Sequence, residues 1–297
     1  MPAFASRPSA LRGIFFMCIA VALMPVMNAI AKALGAEYPL SQVIWARFAF
    51  HFVFMALLFW PRRKWRLLHT KRPMIQFGRS AIMFASNWFF ITALTTVALA
   101  TASAIMFTAP LIVTALSVPF LGERVGPRRW AAVAVGFAGA LIIIRPGGDA
   151  LNIGQLLALA SAVSFGLYQI LTRKVAAIDP PETQILYTAL IAAVVMSAVI
   201  PFNFAMPQLP LHWAMFAALG MIGGITQYFV IRALQSAPAA TVSPYLYGEL
   251  IGATILGYAL FGEFPDGWTW AGAAIIVASG LYVAYRESRR DVLASGK

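Results

Sequence analysis

The sequence predicts an all-α integral membrane protein, with ten transmembrane helices arranged as two inverted five-helix repeats and both termini cytoplasmic. Three observations predict it. Of 297 residues, 61% are hydrophobic and 11% charged, with mean hydropathy +0.80. Soluble domains run near 45–50% apolar and about 25% charged, so a soluble fold of this length could not hide the apolar surface. Apolar runs of roughly 20 residues, the length that crosses a bilayer, recur between strong breakers. The segment 89–104 reappears without gaps 140 residues later.

The elements follow in order. Helix 1 covers 11–34, after Arg7 and Arg12. Ala29-Ile30-Ala31 has the form of a leader cleavage site, but the apolar run continues to Leu34 and the repeat needs this helix, so it is expected to be retained. Helix 2 covers 40–60, between Pro39 and Pro61, and helix 3 covers 73–97, from Pro73. Helix 4 covers 99–121 and nearly abuts helix 3, as in a tight hairpin. Helix 5 covers 126–145, between Gly126-Pro127 and Pro146-Gly147-Gly148. Helices 6 to 10 cover 152–173, 181–202, 210–234, 239–262 and 266–286, with Pro180, Pro207, Pro238 and Pro265 between them. The units are a tail over 1–10, repeats over 11–147 and 148–286, and a tail over 287–297.

Charge gives the orientation. The net charge is +12, which in a soluble protein would suggest nucleic acid. Here the cations lie between the apolar runs. With the N-terminus inside, 18 of the 22 Lys and Arg fall on the cytoplasmic side, as the positive-inside rule requires. The run "PRRKWRLLHTKRP" then lies beside anionic lipid. Arg79, a few residues into helix 3, is expected to snorkel to that surface. Trp60, Trp65, Trp130, Trp213, Trp268 and Trp270 sit near span ends, as an aromatic belt does. Cys18 reads as a small core residue.

"FFITALTTVALATASA" (89–104) matches "FVIRALQSAPAATVSP" (229–244). The register continues through Gly122-Glu123 on Gly262-Glu263 and Trp130 on Trp270. Upstream, "NAIAK" (28–32) meets "QILTR" (169–173) at an offset of 141, and "PLSQVIW" (39–45) meets "PETQILY" (181–187) at 142. Five is odd, so the halves lie upside down relative to each other. Inverted repeats are a device of secondary transporters, whose substrate site lies near the midplane between the repeats. Ten spans, the five-plus-five repeat and Gly-Glu ending helices 4 and 9 resemble the drug/metabolite transporter superfamily, EamA type, over 11–286. "SPYLYGELIGATILGYALFGEFPD" in helix 9 resembles the members that take up S-adenosylmethionine or riboflavin. The resemblance implies a multi-pass bacterial inner-membrane carrier of small organic metabolites, working without ATP hydrolysis. Vitamin or cofactor uptake comes first and metabolite export second.

Glu249 is the outlier among candidate site residues. It lies about ten residues into helix 9, where its repeat partner is Ala109. An ionisable group at that depth costs about 2.5–3.5 kcal/mol or more, so it reads as a cavity-lining residue that binds a polar or cationic part of the substrate or carries a coupled proton. A structural pair with a buried cation is the alternative. Arg47 in helix 2 could be that cation, or could bind an anionic group bidentately. His51 lies one turn from Arg47, and Tyr245 one turn before Glu249. Asn28 with Gln169 and Asn87 with Gln227 are duplicated polar pairs within the spans; they line the cavity or bond across helices. Trp45 is a candidate for stacking on a planar ring. Glu123 and Glu263 are read as structural, each bonding loop amides or a nearby cation. Gly248 and Gly252 are read as a close helix contact.

No cofactor is expected. There is no G-x-x-x-x-G-K-[ST] loop, no metal-ligand spacing and no G-x-S-x-G elbow. A membrane-embedded enzyme would need a catalytic cluster, and the chain holds 10 acids and 3 histidines, the acids mostly in loops or at helix ends. A channel is the other rival. The expected partners are a small-molecule substrate, the lipid bilayer and a proton as candidate coupling ion; nucleic acid is not among them. The assembly is expected to be a monomer or homodimer.

Overall fold

A computed structural model describes residues 10–63, 68–122, 125–145, 152–176, 178–237 and 242–295. Ten helices run through these residues. They are α1 (Ala10–Glu37), α2 (Leu40–Arg63), α3 (Pro73–Leu94), α4 in two pieces (α4a, Leu99–Met106; α4b, Ala109–Leu121), α5 (Pro127–Ile144), α6 (Ile153–Ala176), α7 (Pro181–Val199), α8 (Pro210–Ser236), α9 (Glu249–Phe261) and α10 (Gly267–Ser295). Among the described residues, eight spans are long and apolar enough to cross a membrane. The others are α3, which carries Gln76, Arg79, Ser80, Ser86 and Asn87, and the shorter segment Tyr245–Phe261.

Proline sets several starts. Pro73, Pro127, Pro181 and Pro210 each open a helix, where the missing N–H costs nothing and φ is already helical. Gly122 and Gly262, equivalent in the repeat, close α4b and α9 at φ 68 and 67, a conformation that costs little only for glycine. Three spans differ from expectation. Helix 4 breaks at Phe107–Thr108, because Pro110 cannot donate to Met106 and its ring crowds that carbonyl; Thr108 Oγ1 instead donates to the Ile105 carbonyl at 2.8 Å. In helix 9, a 3-10 turn (Ser243–Gly248) precedes the α-helix. Helix 10 runs on to Ser295, so most of the predicted C-terminal tail is helical.

The packing obeys a two-fold pattern. The contact of α1 with α8 recurs as α6 with α3, α2 with α8 as α7 with α3, and α1 with α9 as α6 with α4b. Pairs α2 with α7 and α5 with α10 join equivalents across the axis, and α4a packs on α9. The match extends to single glycines. A Cβ on Gly252 would lie 2.6 Å from Pro25, and one on Gly166 2.8 Å from Ile112. Pro25 and Gly166 are equivalent, as are Ile112 and Gly252, so the same crossing keeps its small residue on opposite sides in the two halves. Such small residues let membrane helices approach closely.

Phe107 and Tyr247 are equivalent to each other, and they touch: their rings pack edge-on with centroids 5.1 Å apart. The axis therefore passes between them. The Tyr247 hydroxyl occupies the place a Cβ on Gly280 would take. In the other half the matching residues are Phe107, without a hydroxyl, and Ala140, with a Cβ. Gly280→Ala should therefore destabilise the protein by about 1–3 kcal/mol, and adding Tyr247→Phe should restore part of the loss, since ring carbon Cζ would still lie 2.9 Å from the new Cβ. Thermal unfolding of the detergent-solubilised single and double variants checks this; a double variant as unstable as the single one refutes it.

The surface is apolar, with Trp60, Trp130, Trp213, Trp268 and Trp270 exposed on it; Trp65 lies outside the described residues. Cys18, expected in the core, is exposed instead, on a spanning helix whose outer face can be lipid.

Candidate functional site

Four helices bring the candidates together. α1 contributes Asn28, one turn past Pro25. α2 contributes Arg47 and His51, one turn apart and so on one face. α8 approaches α2 closely, since a Cβ on Gly220 would lie 2.5 Å from Phe50 and 2.6 Å from the His51 backbone. α9 opens with Glu249.

Asn28 Nδ2 donates to Glu249 Oε1 at 3.1 Å. This is a contact between the halves, and Glu249 and Asn28 are the sequence candidates that meet directly. The Arg47 charge acts on Glu249 and on His51, but no hydrogen bond joins it to either among the described residues. Arg47 Nη1 and His51 Nε2 are buried without a hydrogen-bond partner among the described residues. In the other half Gln169 replaces Asn28 and Ala109 replaces Glu249, so that half lacks the carboxylate. Gly248 and Gly252 pack on Val21 and Pro25 of α1, which seats α9 against the helix that carries Asn28.

Other candidates lie elsewhere. Tyr245 is exposed. It sits in the 3-10 turn, where each residue rotates by roughly 120° rather than 100°, and so does not share the face of Glu249 as an unbroken α-helix would require. Trp45 donates Nε1 to Ser197 Oγ at 2.9 Å on an exposed face. Asn87 Nδ2 donates to the Met83 carbonyl of its own helix at 2.9 Å. Gln169 and Gln227 are half-buried on α6 and α8.

Glu263 ties one end of the bundle. Lys32 Nζ lies 2.7 Å from Glu263 Oε1 and donates to the Val97 carbonyl at 2.9 Å, while the Leu99 amide donates to Glu263 Oε2 at 3.2 Å. Glu123, its repeat partner, lies outside the described residues. At the same end Gln42 exchanges two hydrogen bonds of 2.9 Å with the Ala205 backbone, and the Tyr38 hydroxyl and His212 Nδ1 are 2.5 Å apart.

At the opposite end lies a polar centre that the sequence reading misplaced. Arg79 does not snorkel; it is 1% exposed. Its Nη2 donates to the Gln184 carbonyl at 2.5 Å and to Thr188 Oγ1 at 3.1 Å. Its Nη1 donates to Thr172 Oγ1 at 3.2 Å, and the guanidinium lies over the Tyr168 ring. Nearby, Asp179 accepts from Thr70 Oγ1 at 2.5 Å and Gln76 Nε2 at 2.7 Å. Burial alone would raise the Asp179 pKa, but these bonds, the Lys71 amide and the Arg79 charge outweigh it and hold the carboxyl below its ordinary value. The signal was present in sequence: Thr172, Gln184 and Thr188 are polar residues within otherwise apolar helices.

Among the described residues, no group of three His, Cys, Asp or Glu side chains could hold a metal ion.

Comparison with known proteins agrees with this architecture. The model of the EamA-like transporter family matches residues 11–145 and again 152–285. The chain is 30% identical to a riboflavin transporter of Rhizobium johnstonii, over 97% of this chain and 96% of that protein. It is 28% identical to an S-adenosylmethionine uptake transporter of Rickettsia felis, over 94% of each. A solved crystal structure with 22% identity aligns over 96% of this chain and 99% of its own at a TM-score of 0.63, which extends the likeness to the fold. This multi-pass membrane protein belongs to the EamA-like transporter family.

Proposed function

We propose that the protein is a bacterial inner-membrane importer of a vitamin- or cofactor-like solute, working by alternating access around a site centred on Glu249, with both termini cytoplasmic. The observation that carries this reading is a half-buried carboxylate contact between the halves, Asn28 to Glu249 at 3.1 Å, with the charge of Arg47, whose Nη1 has no hydrogen-bond partner among the described residues, acting on it. Membrane-embedded ionisable groups are costly and by default mark substrate or proton pathways. The names of the two relatives support riboflavin and S-adenosylmethionine as the first solutes to test. The polar ties at both ends of the bundle suit a device that must open one end at a time: Lys32–Glu263, Gln42–Ala205 and Tyr38–His212 at one, Asp179 and Arg79 at the other.

Purified protein in liposomes tests the reading. Saturable uptake of either solute, enhanced by an inward proton gradient, is the expected result and makes Glu249 the candidate for the coupling residue. Uptake indifferent to the gradient makes the protein a facilitator. Absence of saturable movement in both directions refutes the transport reading, whereas efflux alone replaces import with export.

A double variant tests how Arg47 and Glu249 depend on each other. Removing one charge leaves the other buried and uncompensated, which costs more than removing both. Glu249→Gln and Arg47→Gln should each lower the unfolding temperature by more than the combined variant does. Additive losses would show that the two residues act independently.

A further inference from the structure

The site centred on Glu249 holds two opposite charges that do not satisfy each other. Glu249 receives one hydrogen bond, from Asn28 to Oε1. Arg47 presents Nη1, buried and without a hydrogen-bond partner among the described residues. The charges act on each other through space, yet no hydrogen bond closes the pair among the described residues. Beside them His51 is 6% exposed, with Nε2 also unpartnered. A buried ion pair compensates its desolvation only when the geometry is close and the remaining donors and acceptors are filled. A buried donor left unmade carries its full desolvation penalty. This arrangement is therefore incomplete as a structural pair, and what it lacks defines the ligand. Arg47 lacks an acceptor, best an anionic one. Glu249 has spare acceptor capacity, best used by a cation. A neutral ring system would leave both charges unmatched.

We propose that the substrate is a dipolar ion, whose carboxylate is taken by Arg47 and whose cationic centre is taken by Glu249. This rests on the reading of the Glu249 site as the transport site. It separates the solutes named for the two relatives, since S-adenosylmethionine carries a carboxylate and cationic groups whereas riboflavin is uncharged near neutral pH. Arg47 is then a specificity-determining residue, reading the anionic end of the molecule.

Binding to the purified full-length protein tests this separately from transport, through the ligand-induced rise in unfolding temperature. The probes are S-adenosylmethionine, its decarboxylated analogue and riboflavin. Wild-type protein should be stabilised by S-adenosylmethionine at concentrations at least about tenfold lower than by the decarboxylated analogue, the expected worth of one charged hydrogen bond. Arg47→Gln should erase that preference by weakening S-adenosylmethionine alone, and Arg47→Lys, which keeps the charge, should restore part of it. The proposal is overturned if riboflavin stabilises as well as or better than S-adenosylmethionine. It is equally overturned if Arg47→Gln weakens both adenosyl probes alike, as a structural role would, or if no probe stabilises. The predicted binding pattern without uptake in liposomes would leave the substrate class standing and remove the importer reading.

Discussion

Glu249→Gln should cut uptake by about a hundredfold while the protein still folds and reaches the membrane. The substitution separates the residue's shape from its charge. The glutamine carbonyl can still accept from Asn28 Nδ2, so the observed 3.1 Å bond and the seating of α9 on α1 persist. What disappears is the charge. A hydrogen bond to a charged partner contributes about 1.5–3 kcal/mol, or roughly 10- to 150-fold in affinity. If the residue also carries the coupled proton, the loss is felt in accumulation as well as in affinity, because an amide does not exchange a proton in this range. The measurement is initial uptake against substrate concentration, with and without a proton gradient, normalised to protein in the membrane. Near-normal uptake would remove Glu249 from the site.

The largest effect on stability is expected at Arg79. Replacing it by methionine keeps much of the stem's volume but deletes the guanidinium, with its bonds to Gln184, Thr188 and Thr172 and its stacking on Tyr168. The Gln184 carbonyl still accepts from Thr188 at 2.8 Å, so part of the network heals itself. Asp179 loses the nearby positive charge that helps keep it ionised. A loss of about 3 kcal/mol or more is expected, seen as a drop of several degrees in unfolding temperature. Arg79→Lys should recover less than half, since an ammonium cannot reach carbonyl and hydroxyl acceptors in the planar fork that a guanidinium offers. An Arg79→Met protein as stable as the wild type would show that α3, α6 and α7 hold together by apolar packing alone.

Much of the fold could be read from the chain because its physics is local in sequence. A run of apolar residues has to span, Pro73 and Pro210 have to sit near helix starts, and a gap-free repeat of five spans has to invert. Glu249 could be picked out for the same reason: a carboxylate ten residues into an apolar run has few uses. What failed depends on rotation and on partners. Arg79 sits near the predicted membrane edge, and sequence gives that depth but not which side of α3 meets α6 and α7. α-Helical spacing puts Tyr245 on the face of Glu249, whereas the 3-10 turn ending at Gly248 turns it to the outside. Asn28 was chosen as one member of a duplicated pair, yet only the half that carries Glu249 gives it a carboxylate to bond. Nothing in the linear pattern marked Cys18 as exposed, because in lipid an outward face and an inward face are both apolar.

The two rings that meet on the axis have a consequence for energy. Identical halves would make the inward- and outward-open forms exact images of each other, equal in free energy by symmetry alone. At the axis one half has Phe107 with Ala140, and the other has Tyr247 with Gly280; further out, Ala109 stands in one half where the other has Glu249. Each exchange removes that degeneracy. Under the alternating-access mechanism proposed above, the empty carrier then has a resting side, and the difference in energy between its two forms lies in the few positions where one half has ceased to copy the other.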